Sequence, residues 1–142
     1  MKTDKEILSS ILKTTQMGQV GIRSVLNAAQ SDDFRSALRS QLKEYDSIED
    51  EAHSIASARG WELPELQSGI RVMSDMMTRA KLTVKKSDSN IAGMMIQGNT
   101  KGIITGLKNR HHWSGGDDRI GALSEKLLKT EDSNITQMKP YL

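Results

Sequence analysis

The chain has 142 residues, 20 of them lysine or arginine and 18 aspartate or glutamate, with three histidines and no cysteine. That length suits one domain able to bury a core without cross-links, and zero cysteine excludes disulfide scaffolds, thiolate metal sites, iron–sulfur clusters and thiol catalysis. A formal charge of +2 with 4% aromatics argues against nucleic acid as a partner, through either charge or base stacking.

The N-terminal stretch carries Asp4 and Glu6 and no long apolar run, so it does not read as a signal peptide. No segment approaches the roughly 18 apolar residues of a membrane span, and the cytoplasm is the expected compartment. Prolines stand only at Pro64 and Pro140, and apolar residues between them recur at helical spacing. A first helix is predicted over about residues 4–29. Thr3 and Glu6 form a capping box, and Ile7, Leu8, Ile11, Leu12, Ile22, Val25 and Leu26 lie on one face. After Gln30-Ser31-Asp32, a second helix is predicted over about 33–58. Its face runs through Phe34, Leu38, Leu42, Tyr45, Ile48, Ala52 and Ile55, and Arg59-Gly60 ends it.

Leu63-Pro64-Glu65 opens a third helix to about residue 85, striped by Leu66, Ile70, Met73, Met77, Ala80 and Val84. Ser87 to Asn90 supplies a stop and a new cap. A fourth helix follows over about 90–110, with Ile96, Ile103 and Leu107 as its clearest apolar line. Gly93, Gly98, Gly102 and Gly106 interrupt it. Each costs about 1 kcal/mol against alanine, and their near-regular spacing points to close approach of another helix. His111 to Asp117 is a turn, and a fifth helix runs over about 118–138.

The chain also resembles itself. At an offset of 81, Gln16 falls on Gln97 and Gly21-Ile22 on Gly102-Ile103; at 85, Asp32-Asp33 falls on Asp117-Asp118 and Ala37-Leu38 on Ala122-Leu123. A duplicated helical hairpin predicts an all-α four-helix bundle. Hairpins 4–59 and 90–138 would be joined by a helical crossover, 63–86, in one domain spanning 1–142. With these repeats, and with Gln16 matched by Ile96-Gln97-Gly98-Asn99, the chain resembles small bacterial ferritin-like four-helix proteins of uncharacterised function. Di-iron members of that superfamily place a glutamate on the first helix of each hairpin and Glu-x-x-His on the second.

Amides occupy most of the corresponding places here. Helical-wheel positions put Gln19, Asn99, Thr100 and Asn134 inward, Gln16 and Gln97 on flanks, and Gln41, Glu49 and Glu131 inward or at the border. Together with Tyr45, these are the candidate polar core. An amide brings no charge to offset a dinuclear cation, and Glu-x-x-His is absent; Asp50-x-x-His53 is the nearest sequence. No cofactor is therefore implied. A hydrogen-bonded polar layer that fixes helix register is the favoured reading. The weaker metal candidates are Asp46, Glu49, His53 and Glu131, with Glu49 and His53 also readable as a surface pair. His111-His112 beside Asp117-Asp118 reads as a solvated turn.

Walker A, G-x-G-x-x-G and G-x-S-x-G sequences are lacking. Five of eight methionines fall between Met73 and Met95; Met76 and Met94 point off the core stripe, toward either internal packing or a dimer contact. The expected function is a non-enzymatic bundle acting through protein contacts or self-association. Alternatives are a non-standard metal-binding or oxidoreductase protein, and a small-molecule bundle using Gln19, Gln41, Tyr45 and Asn134.

Overall fold

The computed structural model describes residues 1–65 and 87–142. They form four long helices, α1 (Asp4–Val25), α2 (Asp32–Ala58), α3 (Asp88–His111) and α4 (Asp118–Met138). Short 3₁₀ turns follow α1 (Leu26–Ala28) and α4 (Lys139–Tyr141). Among the described residues there is no β-strand, only an isolated bridge between Lys2 and Trp113.

Each helix starts where its sequence supplies an acceptor for orphan N–H groups. Glu6 N–H donates to Thr3 Oγ1 at 3.2 Å and Thr3 N–H to Glu6 Oε2 at 3.0 Å, completing the capping box. Ser31, Ser87 and Asp117 cap the other three. Gly60, at φ 67°, ends α2 in the left-handed region that glycine enters without penalty. The first helix passes into its 3₁₀ turn at Leu26, short of the predicted end. Leu63-Pro64-Glu65, expected to open the crossover helix, is not helical, and 66–86 lies outside the described residues, as do Met73, Met76 and Met77.

Contacts at the two ends fix the chain directions. Arg59, after α2, donates to Asp4 at the start of α1 (3.3 Å) and to Asp117 before α4 (3.1 Å). Lys2 N–H reaches His112 O, just past α3, at 2.6 Å. At the opposite end, Gln30 and Ser31 N–H donate to the Asp88 carboxylate at 2.7 and 3.0 Å. Helices α1 and α4 therefore run one way and α2 and α3 the other. Around the bundle the order is α1, α2, α4, α3, so every neighbouring pair is antiparallel. The connection from α2 to α3 begins and finishes at opposite ends of the bundle.

The core joins all four helices, with Ile7, Leu8, Leu12, Ile22, Phe34, Leu38, Ile48, Ile120 and Met138 among its fully enclosed side chains. Burial repeats between the hairpins, at offsets other than those of the residue matches. Ile7, Leu8, Ile11 and Thr15 of α1 correspond to Ile91, Ala92, Met95 and Asn99 of α3 at an offset of 84. Phe34, Ala37, Leu38, Gln41 and Tyr45 of α2 correspond to Ile120, Leu123, Ser124, Leu127 and Glu131 of α4 at 86. The matches at 81 and 85 included partly or fully exposed residues such as Gln16 and Gln97, which do not define the packed faces.

Helix α3 also packs on a face other than its apolar line. Ile91, Ala92, Met95, Asn99 and Asn109 are buried. Ile96 and Ile103 are half-buried, and Ile104 and Leu107 are exposed at 48% and 37%. Beyond Ile91 and Met95 the packed face is built from alanine, asparagine and glycine, so hydropathy points about a quarter-turn away from it. A Cβ on Gly102 would meet the Glu131 carboxyl carbon at 2.6 Å, and one on Gly106 would meet Leu128 Cδ2 at 2.8 Å. Two of the four glycines thus admit α4. Gly98 faces nothing within 4 Å, and Gly93 reaches only Leu142, at 3.9 Å.

Candidate functional site

The polar centre of the bundle is assembled by two glycine contacts. In the first hairpin, the Tyr45 ring of α2 lies against Gly18 of α1, where a Cβ would stand 2.5 Å from Cζ. In the second, the Glu131 side chain of α4 lies against Gly102 of α3. Without these gaps in α1 and α3, neither side chain could reach the middle. Both are buried, Tyr45 at 3% and Glu131 at 2% exposure. They meet there, with Tyr45 Oη 3.2 Å from Glu131 Oε2.

Two asparagines complete the layer. Tyr45 Oη donates to Asn99 Oδ1 at 3.0 Å, and Asn134 Nδ2 donates to both Tyr45 Oη (3.3 Å) and Asn99 Oδ1 (3.2 Å). Asn99 Nδ2 turns back to Met95 O at 2.7 Å. Among the described residues, no buried side-chain nitrogen or oxygen is left without a hydrogen bond, as low-dielectric burial demands.

Burial sets the ionisation of this layer. It raises the Glu131 carboxyl to about 8, with the Tyr45 hydrogen bond opposing only in part. Tyr45 is driven above the usual phenol range by burial first, then by the neighbouring Glu131 charge. Burial thus favours the protonated form of both groups. The hydrogen-bond count agrees with this state. Tyr45 Oη has one proton and two acceptors within reach, Asn99 Oδ1 and Glu131 Oε2; a protonated Glu131 leaves that proton for Asn99 and can itself donate to Tyr45 Oη, which also accepts from Asn134.

The other sequence candidates are dispersed into local pairs. Gln16 Nε2 donates to Glu49 Oε2 at 3.2 Å, and Gln19 Nε2 to Asp46 Oδ1 at 2.9 Å. Arg23 also approaches Asp46, at 3.8 Å. Gln41 is tied to Gln137 at 2.8 Å. Gln97 and Thr100 are exposed, Thr100 bonding back to Ile96 O at 2.8 Å. His53 pairs with Glu65 at 3.1 Å on the surface rather than with Glu49. Asp46, Glu49, His53 and Glu131 do not converge. Among the described residues, no three histidine, aspartate or glutamate side chains are grouped to hold a metal ion.

A second polar assembly closes the end bearing the α3–α4 turn. Asp4 accepts from Trp113 Nε1 (2.9 Å), Asp117 N–H (3.1 Å) and Arg59 (3.3 Å). Those bonds, led by the indole, hold its carboxyl below the usual range. Asp117 is held lower still, first by Arg119 at 2.7 Å and then by Arg59. The Arg59 guanidinium sits 4.2 Å over the Trp61 ring. A shallow cavity of about 410 Å³ opens beside this clasp, between Ile7, Trp113, Gly116, Asp118 and Ser124.

Sequence reasoning named the four side chains of the centre but missed Gly18 and Asn109. Gly18 carried no signal, because the Tyr45 contact is known only once the hairpin is folded. Asn109 is buried near the end of α3, accepting from Lys2 Nζ at 2.6 Å and donating to Ser10 at 2.7 Å; both partners lie about a hundred residues away. No protein family, curated protein or solved structure matches this chain. Chemically, the centre can store a proton and hold helix register, and its polar atoms are already committed to one another.

Proposed function

We propose that this protein is a non-enzymatic, ferritin-like helical bundle that works through protein contacts, in the first instance with a second copy of itself. The connectivity supports the architectural part: two antiparallel hairpins, one connection running from end to end, and α1 and α4 opposed in direction to α2 and α3. The repeat of burial at 84 and 86 supports an origin by hairpin duplication. A bacterial source and a cytoplasmic setting belong to the same reading; no helix among the described residues is long and apolar enough to cross a membrane.

The observation that carries the functional part is the outer flank of α3. Ile104 and Leu107 are exposed there beside half-buried Ile96 and Ile103. Along the same helix, Lys101, Lys108 and Arg110 are exposed, and no carboxylate follows Asp88 until Asp117. An apolar strip bordered by charge is a common form of protein contact.

Sedimentation velocity over a wide concentration range tests this. The expected result is a reversible dimer weakened about tenfold or more in Ile104→Glu and Leu107→Glu, both surface changes that leave the core intact. A protein monomeric at every concentration refutes self-association. A dimer indifferent to both substitutions removes α3 from its interface.

A further inference from the structure

Glu131 stands among groups that accommodate its neutral form. From α2 it meets Tyr45 Oη; from α3, the backbone at Gly102, with Asn99 one bond further; and Asn134 comes from its own helix. Helix α1 contributes Gly18 beneath the Tyr45 ring, and the nearby Gln19 is tied to Asp46. Among the described residues no cation enters this set, and Lys101, beside Gly102 on α3, is exposed.

An ionised Glu131 would turn this arrangement against itself. Tyr45 would have to redirect its proton from Asn99 to the carboxylate. Asn99 Oδ1 would keep only the Asn134 bond, and a charge would remain in the core with a single donor. Water is the missing donor, and one barrier to it is thin. Opposite Glu131, α3 has no side chain at Gly102, and Gly106, one turn on, is backed by Leu128.

We propose that Glu131 is the proton-binding element of a conformational switch, in which loss of its proton separates α4 from α3 at the Gly102 contact and admits water to the polar centre. The switch is local because the groups it unbalances belong mainly to the second hairpin, whereas α1 and α2 keep the Gln16–Glu49 and Gln19–Asp46 pairs. With burial raising the carboxyl to about 8, the transition falls just above neutrality. This inference does not depend on self-association.

Amide hydrogen exchange on the intact chain tests it, at pH 6 and pH 9.5, after correction for intrinsic rates. Protection around residues 99–106 and 127–134 is expected to fall about tenfold or more in the wild type. Protection in α1 should hold, and Glu131→Gln should abolish the pH response. Unchanged protection in the wild type overturns the switch. So does an equal loss in Glu131→Gln, or a loss shared by both hairpins, which would mean global unfolding. Should the variant fail to fold, ¹³C NMR of the wild-type Glu131 carboxyl decides. Titration above neutrality, together with the local loss of protection, supports the switch, and titration in the ordinary carboxylate range overturns it.

Discussion

Alanine substitutions at Gly18 and Gly98 should act with opposite signs, although both glycines lie inside long helices. Helix propensity alone favours alanine by about 1 kcal/mol at either site. At Gly98 nothing stands within 4 Å of the new methyl, so Gly98→Ala should stabilise by about 0.5–1 kcal/mol. At Gly18 the methyl would stand 2.5, 2.7 and 2.9 Å from three Tyr45 ring atoms. The ring is enclosed and its hydroxyl engaged by Asn99, Asn134 and Glu131, so it cannot retreat cheaply. Overpacking of this kind costs about 1–3 kcal/mol. With the propensity gain deducted, Gly18→Ala should destabilise by up to about 2 kcal/mol, leaving a gap of up to about 3 kcal/mol between the two variants. Urea denaturation followed by circular dichroism at pH 6 measures both at unchanged slope. Tyr45→Leu in the Gly18→Ala background should recover part of the loss, because the clash disappears with the ring. Equal stabilisation by both alanines would refute the close packing of Tyr45 on Gly18.

Equilibrium stability should carry the Glu131 linkage as well. Its carboxyl is raised in the folded state, so the native chain holds a proton that the unfolded chain releases above the ordinary range. Stability therefore falls with rising pH, by about 1.4 kcal/mol per unit, and levels off beyond about pH 8. Glu131→Gln should remove this slope and be more stable by roughly 3 kcal/mol at pH 7; parallel pH profiles for the two proteins would contradict it. On the acid side the sign reverses. Asp4, Asp88 and Asp117 all titrate below their ordinary range, so their contribution is present above about pH 4 and lost as pH falls through the depressed values. The wild-type maximum is thus expected near pH 5, readable as melting temperature across buffers. Asp88→Ala removes the acceptor for Gln30 and Ser31 N–H and should cost about 1–2 kcal/mol; a change below about 0.3 kcal/mol would show that water replaces it freely.

The helices were legible because their signals are local. Thr3 with Glu6, Ser31, Ser87 and Asp117 mark starts whatever the tertiary contacts, and the faces of α1 and α2 follow ordinary apolar spacing. The inward positions of Gln19, Tyr45, Asn99 and Asn134 followed from the same wheels. Helix α3 is harder to read because past Met95 its packed face lacks apolar side chains: Gly102 and Gly106 bury backbone, and Asn99 and Asn109 bury amides. Apolar periodicity then selected Ile96, Ile103 and Leu107, which flank that face. Glu131 looked like a border residue, since no sequence rule foresees that a glycine on another helix makes room for its carboxyl. The residue matches at 81 and 85 and the burial correspondence at 84 and 86 differ because identity at exposed positions says nothing about which side of a helix is packed.

A second copy of the first hairpin could not stand in for the second. Tyr45 and Glu131 occupy corresponding positions, each against its own glycine, so like-with-like pairing would set phenol against phenol or acid against acid across the axis. Either arrangement loses the unlike contact on which Asn99 and Asn134 converge. A polar layer of this kind favours the pairing of unlike hairpins over like ones. Two hairpins alike in where they bury side chains thus meet at a place where they differ in chemistry.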